Sequence, residues 1–415
     1  MDKKIKVLVV PSDKFGVGHY RSVSPHVMLN SMYGNDFDVD IEYSPKWGDL
    51  ESFRKYDIIN FHKGLFSNME QFWNALEFFK ENGIITVMDI DDYWKLPQTH
   101  PMYHQNKIYN LSEITTKNLT MVDYVTTTTD IFAKKISVYN KNVVVFPNAI
   151  DPTEKQYSPE KNNSDKIRFG FVMGSSHEND MELFRGTIGK LTKDTLDKIQ
   201  IVLCGFDTRG NVTIFNKDGS VAGRRPIKPE ESVWYRYEKN VTDNYKIVSP
   251  EYKKFLEMFV PNLQWPNVSN EVYRREWTKD ISNFATHYRN LDVLIAPLDE
   301  TDFNSVKSEL KMIEAGFTKT ALIASNFGPY TIGSKNLFKF GGDIDTEGNC
   351  ILIDKRKAHK DFAKAIKKLS DNPELITLLK NNLYDTVKDK YDIRNVTDKR
   401  ASWYKEIVEI KKENA

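Results

Sequence analysis

Four clusters in this 415-residue chain carry side chains able to do chemistry, and the densest is TDFNSVKSELKMIEAGFTKTALIASNFGPY at 301–330. Read as a helix over 305–316, it puts Lys307, Lys311 and Glu314 on one face at i, i+4 and i+7, with Leu310, Ile313 and Phe317 on another. Two ammonium groups beside a carboxylate suit a diphosphate and the hydroxyls of a ribose. The same spacing also describes a solvated face of ion pairs, and for the segment alone that reading is favoured. Glu309 would project about 200° away from Lys307 by helical geometry, off the polar face.

The other clusters follow strand-like runs. FGVGHYRSVSP (15–25) offers Gly16 and Gly18, whose amides can approach an anion, Arg21 to reach a phosphate or carboxylate, and His19 as acid, base or donor. Its spacing is not GxGxxG, and a tight strand–helix turn explains the glycines equally well. MDIDDYWKLP (88–97) crowds Asp89, Asp91 and Asp92, which repel unless a divalent metal, ligand hydroxyls or a basic side chain such as Arg21 compensates. Tyr93 and Trp94 beside them can stack on a sugar ring, and NFHKG (60–64) adds His62 and Lys63. VMGSSHENDMELF (172–184) ends a strand at Gly174; Ser175 and Ser176 can cap, the amides of 174–177 can cradle phosphate, and His177 and Asp180 can orient the loop.

The elements that must position these clusters alternate. IKVLVV (5–10), YDIINF (56–61), IITVMDI (84–90), DYVTTTT (123–129) and NVVVFPN (142–148) read as strands, with helices at 68–82 and 111–121. After a polar stretch at 152–166 the alternation restarts with 167–174, a helix at 179–193, then 199–206, 291–298, 320–325 and an edge strand at 350–353. Near-continuous apolar strands alternating with helices predict parallel sheets covered on both faces, with ligands beyond the strands' C-terminal ends. Residues 207–250 interrupt the second unit, with hairpin signals at Asp218-Gly219 and Ala222-Gly223, and 361–415 reads as largely helical. The 59 basic and 58 acidic residues nearly cancel, so no overall field points to nucleic acid. Two cysteines, Cys204 and Cys350, make no disulfide framework. MDKKIKVLVV lacks the apolar run of a signal peptide, so a cytosolic protein is expected.

With the four motifs in this order, the chain resembles the GT-B fold glycosyltransferases, akin to the retaining family 4 (group 1) enzymes of bacterial polysaccharide and glycan synthesis. GFVMGSSHENDMELF, VLCGF, YRNLDVLIAPL, KSELKMIEAG and SNFGPY carry the likeness, and PNAID (147–151) resembles the passage into the family's second domain. The resemblance implies an α/β chain of two Rossmann-like domains facing across a cleft: 1–151 for the acceptor, a linker at 152–166, 167–390 for the nucleotide sugar, and a helix at 391–415 returning to the first domain. It implies transfer of a sugar, a hexose by expectation, from a nucleoside diphosphate donor to a glycan or lipid-linked acceptor, with neither metal nor cofactor. The donor would meet Gly16, Gly18, Arg21, Gly174, Ser175, His177, Lys307, Ser308, Lys311 and Glu314, the last matching the family's ribose-binding acid. His19, Asp91 and Asp92 are the candidate catalytic groups, and His62, Tyr93 and Trp94 the acceptor contacts. Two positions depart from the pattern: Val306 stands where the family has its first EX7E acid, and Met88 where it has a histidine. A non-catalytic nucleotide- or glycan-binding protein, a nucleotide-sugar 2-epimerase and a phosphorylase are the alternatives. Peripheral contact with the inner face of a membrane is left open, and the sequence sets no oligomeric state.

Overall fold

The computed structural model describes residues 3–64, 68–216, 220–261 and 263–413. Apolar, β-branched runs form two six-stranded parallel sheets. The first contains β1 (Ile5–Val10), β2 (Phe37–Ile41), β3 (Ile58–His62), β4 (Ile85–Asp89), β5 (Tyr124–Thr127) and β6 (Val143–Val145), in the order β2-β1-β3-β4-β5-β6. Its register sets Phe61 opposite Met88 and His62 opposite Asp89, so β3 and β4 end together. The β2 strand, FDVDI, was not expected; it is an edge strand whose aspartates face outward, so it lacks an apolar run.

The second sheet comprises β7 (Ile167–Val172) and β8 (Ile199–Phe206), followed after a separate antiparallel hairpin, β9 (Asn211–Phe215) and β10 (Val221–Pro226), by β11 (Tyr273–Trp277), β12 (Val293–Ala296), β13 (Ala321–Ser325) and β14 (Ile351–Ile353). The order is β11-β8-β7-β12-β13-β14, which places β14 on the expected edge. Charges in YRREW hid the other edge strand, β11. The turn signal Asp218-Gly219 lies outside the described residues, whereas Ala222-Gly223 is not a turn: it sits inside β10, where the register shifts between Val221 and Gly223 as in a bulge.

The chain divides into two compact units, one made of 1–151, 302–310 and 389–415, the other of 152–301 and 311–388. In the first, the helix Ile393–Glu413 buries Ala401, Tyr404, Ile407 and Val408 with Val7, Val9, Ile58 and Val87 of the sheet. In the second, the helix Val233–Thr242 from the 207–250 stretch buries Trp234, Tyr237 and Val241 in the sheet's own core.

Two expected helices are broken. Residues 179–193 give only Glu178–Glu182 and a turn at Ile188–Lys190, interrupted by Gly186 at φ 78°. The expected helix 305–316 is two pieces, Asp302–Ser305 and Leu310–Phe317. Between them Val306 is fully buried in the apolar core of the first unit, which takes 306–309 out of the helical path. Burying a valine contributes about 1.5–3 kcal/mol, more than the propensity of one further helical turn offers.

The 152–166 stretch, expected as a linker, is pinned within the second unit. The Lys161 ammonium donates to the Tyr288 carbonyl (2.9 Å) and Thr320 Oγ1 (2.6 Å), and Asn162 N–H to the Arg289 carbonyl (2.8 Å). Burial first, then Lys380, lowers the Lys161 pKa from 10.5 to about 7. Between those values the unfolded chain binds the proton that the folded chain has lost, so stability rises with pH across that window. The difference in unfolding free energy between wild type and Lys161→Met should therefore change between pH 7 and 10; a pH-independent difference in urea melts would refute the buried, depressed ammonium.

Candidate functional site

In the first unit the strand exits are organised by one buried ion pair. Arg21, on a π-helical turn (Gly18–Val23) after β1, meets Asp89 at the end of β4 through Nε–Oδ1 (3.0 Å) and Nη2–Oδ2 (2.7 Å). Its Nη1 donates to the Phe146 carbonyl (2.7 Å) and Asn148 Oδ1 (3.1 Å), and Thr126 Oγ1 donates to Asp89 Oδ2 (2.7 Å). Burial would raise the Asp89 carboxyl, but the guanidinium outweighs it and holds the pKa below the ordinary value. Arg21 is 2 % exposed and fully engaged, so it is not the donor ligand expected from the sequence.

The remaining carboxylates also have cations. Asp91 Oδ1 receives His62 Nε2 (2.9 Å) and Lys63 Nζ (3.1 Å), while Asp92 pairs with Lys307 at 3.7 Å. Burial opposes ionisation of Asp91, yet Lys63 and His62 hold its pKa well below the usual range. Basic side chains thus lie against all three carboxylates. Lys307 therefore lies in the first unit beside Asp92 and over the Phe303 ring (4.7 Å), not on a helix face with Lys311 and Glu314. Ser308 Oγ accepts from Asn148 Nδ2 (2.8 Å). Glu309 is indeed withdrawn, but not by helical direction: it is buried and accepts from Tyr391 (2.6 Å), with burial pushing its pKa up.

The glycine loop is closed on itself. Asp13 Oδ1 accepts from the amides of Phe15 (2.8 Å) and Gly18 (3.1 Å), and a Cβ at Gly18 would lie 1.9 Å from the Asp13 carbonyl oxygen. Gly18 is thus required by the loop's own packing, and its amide is occupied. Gly16 opens the helical turn, and His19 is half-buried with its ring edge-on to Tyr20. Trp94 is 4 % exposed and donates to Thr116 Oγ1 (2.9 Å); it packs in the core and offers no face for an acceptor. Tyr93 is half-buried, with the Lys135 ammonium over its ring at 4.9 Å.

In the second unit the exit of β7 forms a different arrangement. Gly174, Ser175 and Ser176 are exposed, and nothing lies within 4 Å of a Cβ placed on Gly174. The Tyr237 hydroxyl accepts from the His177 amide (2.9 Å) and donates to the Ser175 carbonyl (3.1 Å), clamping the loop from the 207–250 stretch. His177 Nδ1 lies 2.6 Å from Asp180 Oδ2, and Lys311 Nζ lies 3.2 Å from Nε2. The donors and acceptors fit a neutral ring whose Nδ1–H points at Asp180 and whose Nε2 accepts from Lys311. Asp180 Oδ1 in turn accepts the Asp299 amide (2.7 Å) after β12. Glu314, three residues beyond Lys311, is buried and accepts from the Tyr288 hydroxyl (2.9 Å).

The structure thus groups His177, Lys311 and the 174–176 loop in one unit and Arg21, Asp89, Asp91, His62 and Lys63 in the other. Sequence reading missed Asp13, Asn148, Tyr237 and Tyr288. Only Asp13 carried a signal, an aspartate two residues before Phe15 able to bond the backbone ahead of it.

No family model matches the sequence, and no curated protein matches it in sequence. The fold is that of GT-B glycosyltransferases. HepE from Anabaena in complex with UDP superposes with a TM-score of 0.59 at 9% identity, covering 97% of this chain and 100% of that one. Sucrose-phosphate synthase from Thermosynechococcus elongatus gives 0.59 at 12% identity, with 98% and 99% covered. The catalytic domain of starch synthase IV from Arabidopsis thaliana, bound to ADP and acarbose, gives 0.57 at 12% identity, with 98% of both chains covered.

Replacing Arg21 by Met leaves the buried Asp89 carboxylate unpaired and should cost about 3–5 kcal/mol of unfolding free energy. Adding Asp89→Leu should recover part of that loss. A single-variant loss below about 1 kcal/mol in urea melts would show that the pair does not hold the strand exits.

Proposed function

We propose that this protein is a glycosyltransferase that moves a sugar from a nucleoside diphosphate donor onto a glycan or lipid-linked acceptor, on the cytoplasmic side, in bacterial surface polysaccharide synthesis. The observation that carries the reading is the group at the exit of β7: an exposed loop at 174–176 clamped by Tyr237, with the Lys311 ammonium fixed on His177. Such a group suits a diphosphate, whose departure requires charge stabilisation that a positive side chain and backbone amides supply without a metal. The fold supports the same reading, since HepE binds UDP and UDP-glucose and starch synthase IV binds ADP on it. Glu314, oriented by Tyr288, is the carboxylate for the ribose hydroxyls.

One observation favours a second reading, a nucleotide-binding protein without turnover: Val306, at the position of the family's first acid, is buried in an apolar core.

A charge-assisted hydrogen bond is worth about 1.5–3 kcal/mol, so Lys311→Ala should lower kcat/KM roughly tenfold to a hundredfold while the fold persists. Thermal shifts with UDP-, GDP-, ADP- and CMP-sugars should reveal the donor, and transfer should survive EDTA. Unchanged turnover in Lys311→Ala would refute the donor site. Tight binding without nucleotide release over a broad acceptor panel would favour the second reading, and strict manganese dependence would assign the Asp89–Asp92 cluster to a metal.

A further inference from the structure

We propose that the second unit carries an accessory saccharide site beside β11, which takes a sugar unit bearing one acidic group. The site goes beyond the transferase reading and does not depend on it, because its residues all lie in one unit and none belongs to the group at the exit of β7.

β11 is an edge strand, and β8 separates it from β7. The helix Pro250–Leu256 lies along it, where the Arg275 N–H donates to the Tyr252 hydroxyl (3.4 Å). This helix, residues 263–268 and β11 enclose a cavity of about 330 Å³. Small-molecule sites span roughly 300–1,000 Å³, so the cavity suits one sugar unit rather than a chain.

Half-buried Trp265, Trp277 and Phe255 line it. Trp265 is braced by Tyr252 and Phe255, with ring centroids 5.6 and 5.3 Å away, and Trp277 by Phe206 at 5.2 Å. Rings held by other rings keep their orientation, so the C–H face of a pyranose meets an apolar surface that is already formed. Gln264 and Thr278 add an amide and a hydroxyl for sugar hydroxyls.

The charged lining selects an acid. Glu276 is already filled: Oε1 accepts from Arg274 (2.9 Å) and Asn290 (2.6 Å), and Oε2 lies 2.9 Å from His287 Nδ1. Arg275 is spent on Glu238 (3.0 and 2.6 Å). Arg274 keeps a side chain that is 30 % exposed, and Lys279 uses one of its three donors, on Thr286 Oγ1 (2.8 Å). Three cations thus stand against two carboxylates, one positive charge in excess. A carboxylate on the sugar ring, as in a uronate, balances that charge and accepts from the free donors of Arg274 and Lys279.

The test uses the full chain, with calorimetry and tryptophan fluorescence as readouts. The probes are trisaccharides of galacturonate, mannuronate and guluronate, the neutral methyl ester of each, and UDP. At least one acid should bind, its methyl ester should bind tenfold or more weakly, and saturating UDP should not displace it. Lys279→Gln should weaken the acid tenfold or more, as loss of a charge-assisted hydrogen bond does, and leave the ester unaffected. Trp265→Ala should remove most of the fluorescence change; if that variant fails to fold in urea melts, Lys279→Gln carries the test. No acid bound below about 10 mM, equal affinity for acid and ester, or wild-type affinity in Lys279→Gln would overturn the site. Displacement by UDP would also overturn it, by assigning the cavity to the donor. Sugar transfer by the wild type is measured separately, so failure of the transferase reading leaves this result standing, and the reverse.

Discussion

The pair between Arg21 and Asp89 is the interaction on which the first unit's functional edge depends. Removing two charges from water is costly, and neither group is more than 2 % exposed. The return is geometric. One guanidinium, with five donors in a fixed fork, joins the turn after β1, the end of β4 and the stretch 146–148. Thr126 and Asn148 extend the network to β5 and to Ser308. Apolar packing could fill this space, but it could not fix the directions in which the neighbouring Asp91 and His62 are held.

The two units solve the placement of polar groups differently. In the first, acids crowd on one strand exit and each draws a cation from another part of the chain: Arg21, Lys63 or Lys307. In the second, Asp180 and Lys311 hold the His177 ring at the exit of β7, and a tyrosine hydroxyl from the 207–250 stretch fixes the backbone. Gly205 shows how closely that stretch packs: at φ 96°, a Cβ there would lie 2.5 Å from the Met173 carbonyl oxygen and 3.2 Å from the Trp234 ring. Loop conformation in the second unit therefore depends on an element that reads in sequence as an interruption.

The parallel α/β architecture was legible because buried strands such as IKVLVV and IQIVLCGF are continuous apolar runs. Edge strands β2 and β11 were not: solvent permits the aspartates of β2, and in β11 Arg275 and Glu276 are tucked in against Glu238, His287 and Asn290. The chemistry-bearing clusters were also legible as clusters, but their internal partners were not. Sequence spacing showed that Asp89, Asp91 and Asp92 needed compensation; only the fold assigns Arg21 to the first. Helical periodicity placed Lys307 with Lys311 because it carries no information on where a buried valine must go. Val306 belongs to a different core from Met312 and Ile313's helix, and this tertiary demand overrode the local pattern.

The membership of 302–310 and 389–415 in the first unit has a consequence for the chain as a covalent object. Neither unit is a contiguous stretch, so no single cut separates two complete bodies. A fragment ending at 151 would expose the apolar surface normally covered by Val306, Tyr404 and Ile407. The backbone leaves one unit and re-enters it, which makes these short returning segments the positions where an insertion, a protease nick or a recombination boundary would be felt by both units at once.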